Sequence, residues 1–257
     1  MKLACADANS YYCSCEIAFR RDLVGKPVVV GNNDGCVVSR TPAAKPFIPM
    51  AVPIHQYQRQ VREQGITVFS SNYALYHQFA VRMHAIMGRY APTEEFAVDE
   101  AFLDLGHLAP GECLTAMRDL RTTLLREINI PVTIGVAPTK VLSKLATSVG
   151  KTTAEGCYAF ANEAQIDQVL AATALEDIWY IAGQRAKKLR ALGIENGLML
   201  KQSDIARMRR LMTLPVAHVV AELRGISAIP LRTVAPPRKE SMCARAFGHR
   251  INDLREM

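Results

Sequence analysis

Hydrophobic positions along the chain recur at two spacings, and these predict alternating strands and helices. Apolar runs rich in small and β-branched residues predict short strands at residues 2–6, 28–30, 36–38, 66–70 and 132–137. Apolar residues three or four positions apart predict helices at residues 73–89, 114–128 and after Thr139, with Asn72 and Thr139 as N-caps. The order strand, helix, hairpin, helix, strand, helix predicts an α+β fold in which helices layer a sheet.

Three further segments have recognisable patterns. Asp34-Gly35 separates two valine-rich runs, which predicts a β-hairpin. Residues 41–53 contain four prolines, and no regular helix tolerates that density. Beyond residue 165 the apolar spacing predicts helices to about residue 225.

Residues 96–105 are mostly apolar but carry two adjacent carboxylates, Asp99 and Glu100. We predict a hairpin that pairs residues 96–98 with residues 101–105. Acids are common at turns, so this pair can simply belong to a solvated turn. The alternative is a metal site, because the first strand ends at Asp7 and can bring a third carboxylate beside the hairpin. Oxygen ligands without His or paired Cys favour Mg²⁺ or Mn²⁺, and two such ions would point to phosphoryl transfer.

Composition and charge narrow the class of protein. The chain has 257 residues, 49% of them hydrophobic and 21% charged, which is typical of a globular protein. It has no apolar run near the ~20 residues of a membrane span, and its first acid comes too early for a signal peptide. Seven cysteines without a CxxC spacing predict reduced thiols and a cytoplasmic protein.

The net charge of +7 is uneven along the chain. Residues 185–232 contain ten Lys or Arg against three acids, which favours contact with a polyanion such as nucleic acid. A solvated helical face would give the same pattern, so this signal alone does not decide between the two.

Five motifs in order resemble one family. They are Asp-Ala-Asn-Ser-Tyr-Tyr from Asp7, Gly-Lys-Pro-Val-Val-Val from Gly25, Asn-Asn-Asp-Gly-Cys-Val from Asn32, Phe-Ser-Ser-Asn-Tyr from Phe69 and Val-Asp-Glu-Ala-Phe from Val98. The chain is similar to the Y-family translesion DNA polymerases, in the UmuC branch with ImpB, MucB and SamB. That resemblance implies a ferredoxin-like βαββαβ palm in residues 1–10 and 74–165 and inserted fingers in residues 11–73. It also implies a helical thumb in residues 166–230, with a helix-hairpin-helix-like segment. Residues 231–257 would then be a linker and the start of an otherwise missing little-finger domain.

The resemblance also implies roles for individual residues. Asp7, Asp99 and Glu100 would bind two Mg²⁺ ions, with the carbonyl of Ala8 as a fourth ligand and Mn²⁺ as the alternative ion. Tyr12 matches the steric gate that rejects a ribose 2′-hydroxyl, although a packed core tyrosine stays open because Tyr11 is its neighbour.

Basic residues complete the implied site. Lys151, Lys45 and Arg40 would contact the incoming triphosphate, and Lys187 and Lys188 a DNA phosphate. The family has glycines where this chain has Tyr180 and Ala182. From the helical spacing we predict that Lys140 and Lys144 lie on a solvated helix face. Trp179 is expected to pack in the core.

Two functions follow as hypotheses. The first is an error-prone translesion DNA polymerase of the SOS response, which acts on primed or damaged DNA and deoxynucleoside triphosphates. The second is a truncated UmuC-like protein that binds DNA or SOS partners without turnover. The resemblance further implies a processed UmuD-like dimer, the RecA filament and the sliding clamp as partners.

Overall fold

A computed structural model describes residues 2–109, 111–234 and 240 and has the predicted α+β architecture. The strands are β1 Leu3–Ala8, β2 Val28–Gly31, β3 Val37–Arg40, β4 Thr67–Ser70, β5 Thr93–Glu95, β6 Glu100–Asp104, β7 Val132–Ala137 and β8 Cys157–Ala159. The helices are α1 Tyr11–Ile17, α2 Gln58–Glu63, α3 Tyr73–Gly88, α4 Cys113–Ile128, α5 Lys140–Gly150, α6 Glu163–Ala172, α7 Gly183–Ala191, α8 Gly197–Gln202, α9 Ile205–Leu211 and α10 Leu214–Leu223. Asn72 and Thr139 accept hydrogen bonds from the first turns of α3 and α5, as predicted.

A five-stranded sheet of order β5-β6-β1-β7-β8 forms the centre of the molecule. Strand β1 is central, and it pairs antiparallel with β6 on one side and β7 on the other. The order of its first four strands is that of a βαββαβ unit, to which β8 adds a parallel edge strand. Helices α3 and α4 pack with the sheet in one apolar core. Burial on both sides explains why β1 and β7 are almost wholly apolar.

A second, three-stranded sheet of order β3-β2-β4 confirms the predicted hairpin. Gly35 takes a φ of 74° in its turn, a conformation that glycine adopts without steric cost. The proline-rich residues 41–53 form consecutive turns and no helix. This sheet has its own small core, in which Ile48 and Ile66 are buried against Val29.

Helices α6–α10 share a third apolar core with the inner face of α5. Glu222 of α10 is fully buried at the junction, where it accepts from the backbone N–H of Val141 at 3.2 Å and of Ala228 at 2.7 Å. A carboxylate is favoured there because the N-terminus of α5 carries partial positive charge. No helix in the described part of the chain is long and apolar enough to cross a membrane. The predicted little-finger strand, in residues 243–257, lies outside the described residues.

The predicted bounds of the acidic hairpin were wrong on one side. Its first strand is Thr93–Glu95, paired with β6 from Leu103 to Ala101, and not residues 96–98. The N–H groups of Phe96 and Ala97 both donate to the Glu100 carbonyl, at 3.1 and 2.9 Å. The turn therefore closes around residues 96–99, and the strand that precedes it is polar.

Gly135 tests the packing of α5 on the sheet. Its neighbours Ile134 and Val136 belong to the core with α3 and α4, so its own position faces α5. A methyl group there would lie 2.1 Å from the Thr147 nitrogen and 2.4 Å from the Ser143 carbonyl oxygen. We expect Gly135→Ala to lower the free energy of unfolding in urea by about 3 kcal/mol or more.

The control is Gly88→Ala at the last residue of α3, where an added methyl meets no heavy atom within 4 Å. Its free energy of unfolding should stay the same or rise by up to about 1 kcal/mol. Equal stability of the two variants would contradict the close approach of α5 to β7.

Candidate active site

Strands β1 and β6 bring the predicted carboxylates to one end of the central sheet. Asp7 pairs directly with Glu100 in the antiparallel register, so the two side chains are cross-strand neighbours. The Ala8 N–H donates to the Asp99 carbonyl at 2.8 Å, which joins the turn to the end of β1. The predicted convergence of acids from distant parts of the chain is therefore present.

Glu100 is buried and is contacted from two sides. Lys144 Nζ lies 2.6 Å from Oε1 and 2.7 Å from Oε2 of Glu100. From β1, the Cys5 thiol donates to Oε1 at 3.1 Å. Burial, with the nearby Glu100 charge, raises the pKa of Cys5 well above its usual value, so this thiol stays protonated and remains a donor.

Asp7 has a lysine partner of its own. Lys151 Nζ lies 2.9 Å from Asp7 Oδ2, and this lysine is the C-cap residue of α5. Its side chain is more exposed than that of Asp7. Helix α5 thus supplies one ammonium group to each of two carboxylates on neighbouring strands.

The prediction that Lys140 and Lys144 lie on a solvated helix face was wrong. Lys140 is only 2% exposed, forms an ion pair with Glu94, and donates to the Pro230 carbonyl at 2.9 Å. Lys144 is 24% exposed in its contact with Glu100. Both lysines lie over acids of β5 and β6, because α5 runs across the sheet toward that hairpin. The spacing of four residues correctly put the lysines on one face, but it carried no information about the acids beneath that face.

Burial shifts the titration of the two aspartates in the same direction. Burial raises the pKa of Asp7, and the charge of Lys151 opposes that rise only in part. Burial first, then repulsion from Asp7, raises the pKa of Asp99. A cation placed between them would relieve both causes.

The donor set fits a hard divalent ion, since carboxylate oxygens are the ligands that Mg²⁺ and Mn²⁺ prefer. Within residues 2–109, 111–234 and 240, however, no three His, Cys, Asp or Glu side chains are already arranged to hold a metal ion. Lys144 and Lys151 contact two of the three acids, so a metal ion would have to displace or share those contacts. The metal site therefore stays a prediction.

The two adjacent tyrosines have different environments. Tyr11 is buried, and its hydroxyl donates to the Tyr76 carbonyl at 2.6 Å. Tyr12 is only partly buried, and its ring stacks on Tyr76 with centroids 4.5 Å apart and planes 17° apart. Burial first, then the charge of Asp99, raises the pKa of Tyr12. Tyr11 is thus the core tyrosine, whereas Tyr12 lies on the side of the carboxylates, where a steric gate would have to be.

The other predicted basic residues lie outside the carboxylate cluster. Arg40, at the end of β3, donates to the Ile48 carbonyl at 2.5 Å, while its buried Nε has no partner. Lys45 is exposed in the turn that follows. Lys187 and Lys188 are exposed on α7. None of them contacts Asp7, Asp99 or Glu100 in the described residues.

The segment before α7 differs from a glycine-rich hairpin in one respect. Tyr180 takes a φ of 71°, the left-handed region in which glycine is favoured, while Ala182 is extended at the N-cap of α7. The Tyr180 carbonyl accepts from Arg185 Nη1 at 2.6 Å. Trp179, as predicted, packs against other side chains, with its ring centroid 5.2 Å from Phe96 and 5.5 Å from Phe102.

A cleft of about 410 Å³ lies between the carboxylates and this segment. Asp7, Glu100, Lys144 and Lys151 line one side, and Trp179, Tyr180 and Arg185 are among the residues on the other. Sequence reasoning missed Lys144 and Cys5 as parts of this site. The signal for Lys144 was present in its spacing of seven residues from Lys151, whereas nothing in the sequence pointed to Cys5.

The fold is that of the Y-family DNA polymerases. The structure titled Dbh Ternary Complex has a TM-score of 0.77 and 21% identity over 91% of this chain and 69% of that chain. A Y-family DNA polymerase chimera, Dbh-Dpo4(243-245)-Dbh, also has a TM-score of 0.77, with 19% identity over 90% of this chain and 70% of that chain. These similarities confirm the predicted fold class.

Residues 6–148 match the impB/mucB/samB family, and the chain belongs to that family. Protein UmuC of Salmonella typhimurium is 36% identical over 99% of this chain, and DNA polymerase IV 1 of Bacillus subtilis is 26% identical over 88%. The chain spans 62% of the length of that UmuC and 55% of that of the Bacillus protein. The resemblance predicted from five motifs is confirmed.

Asp99 tests the electrostatics of the site. We expect Asp99→Asn to raise the free energy of unfolding by about 1 kcal/mol near pH 7 with EDTA present, because it removes a buried charge that Asp7 repels. Since the pKa of Asp99 is raised, the folded chain binds this proton more tightly than the unfolded chain. The penalty of the charge is therefore present above the raised pKa and disappears as the pH falls below about 4.

Urea unfolding from about pH 7 down to about pH 4 measures this gain, which should shrink toward zero. The matched control is Asp104→Asn at the other end of β6, where the carboxylate accepts from the Gly106 N–H. An equal gain in this control, or a gain that persists at low pH, would contradict the origin assigned to the effect.

Proposed function

We propose that this chain carries the nucleotidyl-transfer site of a UmuC-like, error-prone translesion DNA polymerase that acts in the SOS response. The observation that carries the proposal is the convergence of Asp7, Asp99 and Glu100 at one end of the sheet, in a chain of this family. Relatives that include DNA polymerase IV of several bacteria support a DNA-directed reaction. Because the chain spans only part of its relatives, the activity of the whole protein belongs to the proposal.

The three carboxylates would hold two Mg²⁺ ions, with the Ala8 carbonyl as a further ligand and Mn²⁺ as the alternative ion. When bound, such ions activate an attacking 3′-hydroxyl and stabilise the leaving pyrophosphate. Lys151 then has a second task beside its contact with Asp7, which is to neutralise charge on the triphosphate. Lys45 and Arg40 would contact the same group from the three-stranded sheet side.

Tyr12 and the basic helix α7 would position the other parts of the substrate. The ring of Tyr12, supported by Tyr76, would lie against the sugar and leave no room for a 2′-hydroxyl. Lys187 and Lys188 are exposed at a surface where a DNA phosphate can approach. Domain bounds follow the three cores: palm in residues 1–10 and 74–165, fingers in residues 11–73 and thumb in residues 166–230.

The cellular setting is also part of the proposal. We infer primed or damaged DNA and deoxynucleoside triphosphates as substrates, and the bacterial cytoplasm as the location. A processed UmuD-like dimer, the RecA filament and the sliding clamp are the proposed partners, and they rest on family membership alone.

Primer extension on a DNA template with Mg²⁺ tests the assignment. The 257-residue chain should add nucleotides, and Asp99→Ala combined with Glu100→Ala should lower the rate about a thousandfold or more, because the charge of the reacting groups loses its compensation. The matched control is Glu95→Ala, an exposed carboxylate in the same hairpin whose nearest partner is His84 at 3.5 Å. Its rate should stay close to that of the unmodified chain.

Two outcomes would argue against this function. Equal residual extension by the double variant would sink the assignment of the carboxylates. No incorporation above background by the unmodified chain, with DNA binding retained, would favour the second hypothesis, a chain that binds DNA or SOS partners without turnover.

The ring of Tyr12 gives a separate prediction about sugar selection. Tyr12→Ala should lower the preference for deoxyribonucleotides over ribonucleotides by about tenfold to a hundredfold, since a clash with one hydroxyl is worth about 1–3 kcal/mol. The ratio of kcat/KM for the two nucleotides measures it. Tyr11→Phe is the control, because it removes only the buried hydrogen bond to Tyr76 and should keep the preference. An unchanged ratio in Tyr12→Ala would remove the steric gate from this position.

A further inference from the structure

Lys144 is in the middle of the candidate site but has no place in the function proposed above. Its ammonium group contacts both oxygens of Glu100, at 2.6 and 2.7 Å, and the Cys5 thiol contacts Oε1 from the opposite element. Any metal ion that Glu100 binds needs at least one of these oxygens. Metal binding and the Lys144 contact therefore compete for the same lone pairs.

Two aromatic rings flank the same ammonium group. Lys144 Nζ lies 5.2 Å from the centroid of Phe96 and 5.0 Å from that of Trp179. The two rings also meet edge to face, with centroids 5.2 Å apart. Ring faces attract cations at this range, so an ammonium that gives up a carboxylate oxygen has a second place to stay.

We propose that Lys144 is a positioning residue that acts as a built-in competitor of the divalent ion at Glu100. It holds the carboxylate in place and neutralises it, and it yields an oxygen when the ion binds, while Phe96 and Trp179 retain the ammonium. Trp179 belongs to the segment that leads into α7, so the exchange at Glu100 is felt on the far side of the cleft. The inference rests on the proposed function, since it assumes that Glu100 is a metal ligand.

Metal affinity tests the competition without any need for turnover. Binding of Mn²⁺ to the 257-residue chain is measured from the electron paramagnetic resonance signal of the free ion, and Mg²⁺ is then added as a competitor. Lys144→Met should tighten Mn²⁺ binding by about fivefold, which corresponds to the loss of one partly exposed ion pair. Lys144→Arg keeps the charge and should stay within about twofold of the unmodified chain.

Two further variants guard against other readings. Ser148→Ala changes a residue one turn along α5 that lines the same cleft and bonds only the Lys144 carbonyl, so Mn²⁺ affinity should not change. Lys144→Gln is a second neutral variant should the methionine variant fail to fold, which thermal unfolding would show.

Trp179 offers an independent optical signal, because it is the only tryptophan in the chain. Mg²⁺ should change its emission in a saturable way, with a midpoint that matches the Mg²⁺ affinity from competition. In Lys144→Met the ion should still bind, while most of the emission change is lost because no ammonium moves at the ring.

The outcomes separate this inference from the proposed function. Unchanged or weaker Mn²⁺ binding in Lys144→Met, or an undiminished emission change, would overturn the competition and leave the metal site intact. Failure of the unmodified chain and every variant to bind Mn²⁺ or Mg²⁺ would overturn the proposed function, and the inference with it. Tighter binding in both neutral variants, with the arginine and Ser148 variants unchanged, would support it.

Discussion

The register between β1 and β6 is the constraint on which the rest of the site depends. It puts the carboxylates of Asp7 and Glu100 next to each other at the end of a buried sheet, with Asp99 in the adjoining turn. Like charges in such surroundings need compensation, and burial makes that need greater because less water screens them. The positions of α5, of its lysines and of the cleft can all be understood as responses to that one requirement.

Helix α5 meets the requirement from a single face. Lys140, Lys144 and Lys151 pair with acids on β5, β6 and β1 respectively, so one helix supplies positive charge across three strands. Its other face packs into the core shared with α6–α10, and Glu222 closes its N-terminus. The same helix thus joins the candidate site to the helical C-terminal part.

Much of the fold was accessible from sequence, because its strands and helices have strong local patterns. The Asp34-Gly35 hairpin, the caps at Asn72 and Thr139 and strand β7 required only near-neighbour information. The candidate carboxylates followed from their types and positions. What could not be predicted was contact between distant elements: a lysine on a polar helix face looks solvated unless the acids opposite it are known. The edge of the acidic hairpin was missed for a related reason, since a hydrogen-bonded turn and not hydrophobicity fixes where β5 ends.

Gly135 links the shape of the backbone to the charge of the site. Because this residue has no side chain, α5 lies directly on β7, and that depth sets how far each lysine must reach to its carboxylate. In an evolutionary comparison, position 135 should therefore vary together with the lengths of the side chains at positions 144 and 151. A lineage that gained a methyl group at 135 would have its helix lifted, and it would need longer basic side chains, such as arginine, to keep the same ion pairs.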